Sequence, residues 1–344
     1  MKAVRIHGPG DVRYEEVPNP KVNSHDVLIR IRAVGVCGSD IELCDGVHPY
    51  ITTGRTRLPL IPGHEWSGEV ISLGNKVKDF DAGDKVTGEC SVGCRQCEYC
   101  FQGYYNECEN LEETGILNRD GGFAELISFP FCFLHKFTSL SFEEAALTEP
   151  TAIAMHAVSV ARVSPKDYVA VVGPGPIGLL AVQVAKAFGA GAILLSGTRL
   201  ERLELGRQLG ADAVVNVKEE SIVRVAEEFT HGHKFDVVIE ATGNPDVLGD
   251  IESIIRPYGR IILVGSFGGQ KGLIDLDRIV TGNISLLGVV GSPNVWEESI
   301  RLLETKKIQA APLITHRFEL SQIKEGLDTV RQRMGGAVKV LFIP

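Results

Sequence analysis

The hexapeptide Gly173-Pro174-Gly175-Pro176-Ile177-Gly178 directly follows the apolar run Tyr168–Val172 and opens residues 177–188, where apolar side chains recur at helical spacing. Alone, Gly-x-Gly-x-x-Gly is a weak signal. Between a strand and a helix it is specific, because its mechanism needs that setting. The first glycine permits a tight turn, the second lets a pyrophosphate approach the backbone, and the third packs the helix against the sheet. Backbone N–H groups and the helix dipole then face the phosphates, and Pro176 suits a first helical turn. Beyond it, 192–196, 200–209, Ala213–Asn216, Ile222–Phe229, Phe235–Glu240, 247–255 and 260–265 alternate as strand and helix, and 284–290 reads as a last strand. Such alternation means βαβ units and a parallel sheet covered on both faces. Residues 153–291 are read as an α/β, doubly wound Rossmann coenzyme domain.

The second strand of this unit ends in Leu195-Ser196-Gly197-Thr198-Arg199. An NAD enzyme normally places Asp or Glu here to accept hydrogen bonds from the ribose. Gly197 occupies that position, so a 2′-phosphate meets no repulsion, and Thr198 and Arg199 offer it a hydroxyl and a guanidinium. NADP is favoured over NAD; the competing reading is a solvated Arg199 beside a loose NAD site. Thr242, Gly265 and Ser266, at later strand ends, are expected near the nicotinamide.

At 344 residues the chain exceeds what one core usually supports. Residues 1–152 are rich in Gly and Pro, with short apolar alternations at 27–34, 69–73 and 124–127, a barrel-like all-β pattern. The tail, 292–344, holds one clear helix, Trp296–Glu304, and ends in apolar residues 338–343, suited to a strand returning to the first domain. All eight cysteines lie in the first half of the chain. Cys94, Cys97, Cys100 and Cys108 form C-x2-C-x2-C-x7-C within a loop at about 91–110 that has little apolar material of its own. Four thiolates close around a tetrahedral ion and leave no open position, which defines a structural zinc site. An iron–sulfur centre is the competing reading of the same spacing. Cys44, Cys90 and Cys132 belong to no motif and are read as packing residues.

Cys37, in Gly35-Val36-Cys37-Gly38-Ser39-Asp40, and His64, in Gly63-His64-Glu65, are weak signals singly. Together with the four-cysteine lobe and the glycine turn they resemble the zinc-containing medium-chain alcohol dehydrogenase superfamily, over essentially the whole chain. The resemblance implies a GroES-like β-barrel catalytic domain and two zinc ions per chain. By it, Cys37 and His64 bind the catalytic zinc. Glu149, in Leu147-Thr148-Glu149-Pro150, matches the third-ligand position and Glu65 a carboxylate that ligates in some members; which of the two binds is left open. Asp40 is expected to accept from the far ring nitrogen of His64, and Ser39 to start a proton relay. Glu149 in place of Cys resembles the sorbitol and threonine dehydrogenase branch.

The reaction implied is reversible hydride transfer between a secondary alcohol and nicotinamide, with zinc as Lewis acid. The polar stretch holding Glu42, His48, Tyr50, Arg55 and Arg57 favours a polyol, cyclitol or sugar derivative over a plain alcohol, and the two arginines suit a phosphorylated one. The net charge of −9 argues against nucleic acid or an anionic membrane as partner. The partner is a small alcohol or ketone. A cytoplasmic location is expected, and the resemblance implies a homo-oligomer, tetramer or dimer. Rival readings are threonine or simple secondary-alcohol oxidation, a zinc-free quinone or enoyl reductase, and a coenzyme-sensing protein that kept the fold.

Overall fold

Strand Asp26–Gly35 shows the period-2 pattern at its clearest: Val27, Ile29, Ile31 and Ala33 are buried, whereas Arg30 and Arg32 face solvent. The computed structural model describes residues 1–344, and the chain divides into two compact units. One comprises Met1–Ala152, Gly291–Lys306 and Ala310–Pro344; the other comprises Ile153–Val290 and Lys307–Gln309.

In the first unit a seven-stranded sheet runs Leu134–Lys136, Lys85–Gly88, Glu65–Leu73, Asp26–Gly35, Lys339–Ile343, Ile314–Glu319, with Leu126–Pro130 also pairing with Asp26–Gly35. Aromatic pairs fill its core: Trp66 meets Phe129 edge-on at 5.1 Å, and Phe123 meets Phe342 at 5.3 Å. Lys339–Ile343 joins the sheet antiparallel to Asp26–Gly35, so the tail does return to this unit. Two details differ from expectation. The strand anticipated at 124–127 lies at Leu126–Pro130, while Ala124 makes only an isolated bridge to Ala3. The tail also carries a second helix, Ile323–Gln332, which buries Ile323, Gly326 and Leu327. A Cβ at Gly326 would lie 2.3 Å from the Phe342 ring, so the helix packs directly on the sheet at that point.

In the second unit six strands, all parallel, run Ala213–Asn216, Ala192–Gly197, Tyr168–Val172, Phe235–Glu240, Ile255–Leu263, Ser285–Gly288. Sequence order 3-2-1-4-5-6 is the doubly wound arrangement, with its ligand crevice where the order reverses. Tyr168–Val172 is buried at four of five positions because helices cover both faces. The fifth strand begins at Ile255, before the expected 260, and absorbs a register shift opposite Phe235 and Val237. No helix is long and apolar enough to cross a membrane.

Candidate active site

The four-cysteine lobe is built from short pieces: one helical turn Glu98–Phe101, a 3-10 turn Tyr105–Glu107, and a three-stranded sheet of Ser91–Val92, Glu112–Thr114 and Asn118–Arg119. It brings the sulfurs of Cys94, Cys97, Cys100 and Cys108 all within 4.8 Å of one another, as free thiols. Backbone N–H groups point at them. Cys94 and Asn110 donate to Cys108 Sγ at 3.2 and 3.3 Å, and Arg95 donates to Cys100 Sγ at 3.3 Å. The Gln96 N–H is the largest influence holding the Cys94 thiol down to about 6. Donors aimed at sulfur stabilise thiolate, and thiolates this close repel unless a cation lies among them. The donor set fits a closed tetrahedral zinc site.

The second cluster is assembled from distant segments. Cys37 is the N-cap of helix Gly38–Asp45, and His64 and Glu65 stand at the start of strand Glu65–Leu73. Their ligand atoms lie within 4.8 Å of one another. Asp40, fully buried, accepts the N–H of Cys37 at 2.8 Å and of Gly63 at 3.1 Å, tying the two ligand-bearing turns together. The expected Asp40–His64 hydrogen bond is not formed: Asp40 Oδ1 stands 3.8 Å from His64 Nδ1, because backbone donors hold the carboxylate. Nδ1 is buried without a hydrogen-bond partner. Burial resists a charged His64, but Asp40, Cys37 and Glu149 outweigh it and raise its pKa well above the ordinary value. Ser39 places its hydroxyl 3.8 Å from Cys37 Sγ.

Glu149, at the start of helix Thr148–Ala161, is buried beside this trio but outside the compact set. Burial pushes its carboxyl up to about 7; Glu65 adds to the rise, while His64 and Lys339 oppose it. The half-buried Cys37 thiol, the buried His64 imidazole and the buried carboxylates of Asp40, Glu65 and Glu149, with one lysine, form an acid-rich pocket whose charge a divalent cation balances. The residues fit a catalytic zinc.

Sequence reasoning missed Lys339 and Glu113 here. Lys339, 3% exposed, holds Glu65 through both oxygens at 2.7 and 2.6 Å and donates to the Val36 carbonyl. Gly35, opposite Glu65 across the sheet, leaves room for that carboxylate: a Cβ there would sit 2.2 Å from Glu65 Oε2. The only hint was a lone lysine opening the apolar strand Lys339–Ile343. Glu113, also buried, has its pKa raised by burial, with His64 and Arg55 opposing the rise. Among the polar residues noted from sequence, Glu42, His48 and Tyr50 are half-buried, and Arg55 stacks over the Tyr50 ring at 4.4 Å. Arg57 is exposed.

The coenzyme turn lies wholly in the second unit. Gly173 has φ +109, and a Cβ on Gly178 would fall 1.8 Å from the Gly173 carbonyl, so neither position accepts a side chain. Gly175 caps helix Pro176–Ala187, and open space lies where its Cβ would be, as a pyrophosphate site requires. Ile177 follows Pro176 in the first turn. Thr242 and Ala241 abut Gly173, and Gly265 abuts Gly243, so the expected strand ends meet. Gly197 closes strand Ala192–Gly197, Thr198 is exposed, and Arg199 is the N-cap of helix Leu200–Gln208. These residues fit a dinucleotide.

Residues 23–139 match the alcohol dehydrogenase GroES-like domain, and residues 176–305 match the zinc-binding dehydrogenase family. The chain is 32% identical to a sorbitol dehydrogenase of Bacillus subtilis, across 100% of this chain and 97% of that protein. It is equally 32% identical to a D-arabitol-phosphate dehydrogenase of Enterococcus avium, across 99% and 97%. A zinc-binding dehydrogenase of Sinorhizobium meliloti, solved bound to NADP, superposes with a TM-score of 0.93 at 30% identity, covering 100% of this chain and 99% of that one. With both donor sets and the glycine turn in place, the chain belongs to the zinc-containing medium-chain alcohol dehydrogenase superfamily, in its polyol dehydrogenase branch.

Proposed function

We propose that this enzyme interconverts a secondary hydroxyl of a polyol, cyclitol or sugar derivative and the ketone, with NADP as coenzyme and two zinc ions per chain. The observation that carries the reading is the polar surround of His64: half-buried His48 and Tyr50, buried Glu113, and Arg55 over the Tyr50 ring. A plain alcohol has no use for these hydrogen-bonding groups, and a site built to pair hydroxyls rejects analogues that lack them. The polyol dehydrogenases among the relatives support it.

Cys37 and His64, with a carboxylate from Glu65 or Glu149, would hold the catalytic ion, and Cys94, Cys97, Cys100 and Cys108 the structural one. Bound zinc would supply Lewis acidity towards the alcohol oxygen, and the nicotinamide would supply the hydride acceptor. Asp40 keeps the Cys37 and His64 turns in register through its two backbone hydrogen bonds. The half-buried Ser39 hydroxyl receives the proton leaving the alcohol and passes it towards solvent. Lys339 offsets the charge of Glu65. In the coenzyme unit, the Arg199 guanidinium takes part in no ion pair and stays available for a 2′-phosphate. Strand Ser285–Gly288 is the edge of its sheet and carries exposed Leu286, with exposed Val290 just beyond it, which supports association into a homo-oligomer. Eight free cysteines suit a reducing cytoplasm.

A phosphorylated polyol is the second reading, favoured by the exposed Arg57, whose guanidinium has no partner. The test is steady-state kinetics on a pentitol, its phosphate ester and 2-pentanol with each coenzyme. The pentitol or its phosphate is expected to exceed 2-pentanol in kcat/KM by about tenfold or more. A plain alcohol ahead by that margin rejects the polyol reading, and strong NAD preference rejects the NADP reading.

A further inference from the structure

At Gly197 the backbone itself tolerates any residue. The position lies in extended strand, pairs with Asn216 of the neighbouring strand, and is absent from the left-handed region. What forbids a side chain is Pro174. A Cβ built on Gly197 would lie 2.3 Å from Pro174 Cδ and 2.4 Å from Pro174 Cγ, and the next nearest atom, Leu203 Cδ2, is an ordinary 3.6 Å away. Pro174 Cβ is therefore farther still. The ring has no rotamer to swing into. Nor can the turn back away easily: Gly173 is held at φ +109, and its N–H donates at 2.9 Å to the carbonyl of Ser196, the residue before Gly197.

We propose that Pro174 is a specificity-determining residue: its ring keeps position 197 free of any side chain, and so bars the acid by which a site of this kind would select NAD. The inference rests on the NADP reading above and deepens it. Absence of the acid is then a property of two residues from separate strand ends, one in the pyrophosphate turn and one beside the ribose. A change at Gly197 alone meets the ring; it becomes acceptable once Pro174 has lost Cγ and Cδ, which Pro174→Ala achieves. Arg199 and Thr198 stand next to the cleared position, so an acid placed there sits beside the groups that would bind the 2′-phosphate.

The experiment uses full-length enzyme carrying Gly197→Ala or Gly197→Asp, each with and without Pro174→Ala, and Pro174→Ala alone as the reference for the pairs. Thermal midpoints are read without coenzyme, and Kd values for NADP and NAD are read by fluorescence titration without alcohol. Gly197→Ala is expected to lower the midpoint by roughly 2–10 °C in the Pro174 background, as overpacking does, and to cost nothing on Pro174→Ala. Gly197→Asp is expected to weaken both coenzymes in the Pro174 background and, on Pro174→Ala, to move the Kd ratio at least tenfold towards NAD. Equal midpoint losses in both backgrounds, or an equal swing to NAD without Pro174→Ala, overturns the proposal. A wild-type preference for NAD defeats the NADP reading alone, since the Gly197→Ala midpoints still decide whether the ring excludes a side chain.

Discussion

The two cysteine-bearing clusters each gather their donor atoms within 4.8 Å of one another but are built in opposite ways. In the lobe, four ligands lie within one short stretch, at the end of turns with little core beneath them, and Tyr99, Phe101 and Tyr104 are exposed. In the Cys37, His64 and Glu65 set, the donors come from a helix N-cap and a strand start, and the trio is pinned from outside by Asp40 and by Lys339, 274 residues from its partner Glu65. A local site takes its shape from its ion. A dispersed site takes its shape from the fold, which exists before the ion arrives. Removing a ligand should therefore unfold the first and merely disable the second.

The largest expected effect is that split. His64→Ala should reduce kcat/KM by more than the ~100-fold typical of changes to outer partners of a metal site, with far-UV circular dichroism and thermal midpoint close to wild type. Cys97→Ser should instead lower the midpoint and open 91–110 to proteolysis. A folded, stable Cys97→Ser protein would break the contrast.

Next comes the pin itself. Lys339→Met leaves the Glu65 carboxylate buried without its cation, which costs about 3–5 kcal/mol. Lys339→Met with Glu65→Gln should recover much of that loss in denaturant unfolding. A single variant as stable as wild type would show that the fold does not depend on the pair.

The smallest effect sharpens the local side. If the lobe takes its shape from its ion, protein stripped of metal should lose the Gln96 N–H contact that holds the Cys94 thiol down to about 6. Iodoacetamide should then alkylate Cys94, Cys97, Cys100 and Cys108 at similar rates, and zinc should protect all four. Mass spectrometry that finds Cys94 alone modified at pH 7 in stripped protein would show that the lobe keeps its shape without the ion.

The same contrast governs what could be read from sequence. The lobe was legible because its ligands are neighbours in the chain. The alternating strands and helices of the coenzyme unit were legible because period and turn chemistry are local; Tyr168–Val172, Ala213–Asn216, Ile222–Phe229 and Phe235–Glu240 lie where the pattern puts them. The partnership of Cys37 with His64 came only by resemblance, since neither residue signals the other. Lys339 and Glu113 were not found at all, because burial and long-range pairing leave no periodic trace. Helix Ile323–Gln332 is legible too, since Ile323, Leu327 and Val330 recur at helical spacing, but its approach to Phe342 through Gly326 is not. At Gly197 the sequence showed that an acid was missing; only the packing showed that Pro174 leaves no room for one.

The most direct measurement is zinc per chain, by elemental analysis of freshly purified, unchelated wild type and His64→Ala. Two ions in wild type and one in a still-folded His64→Ala protein is the predicted result. One ion or none in wild type, or loss of both ions with loss of fold in His64→Ala, would contradict two independent sites built on opposite principles.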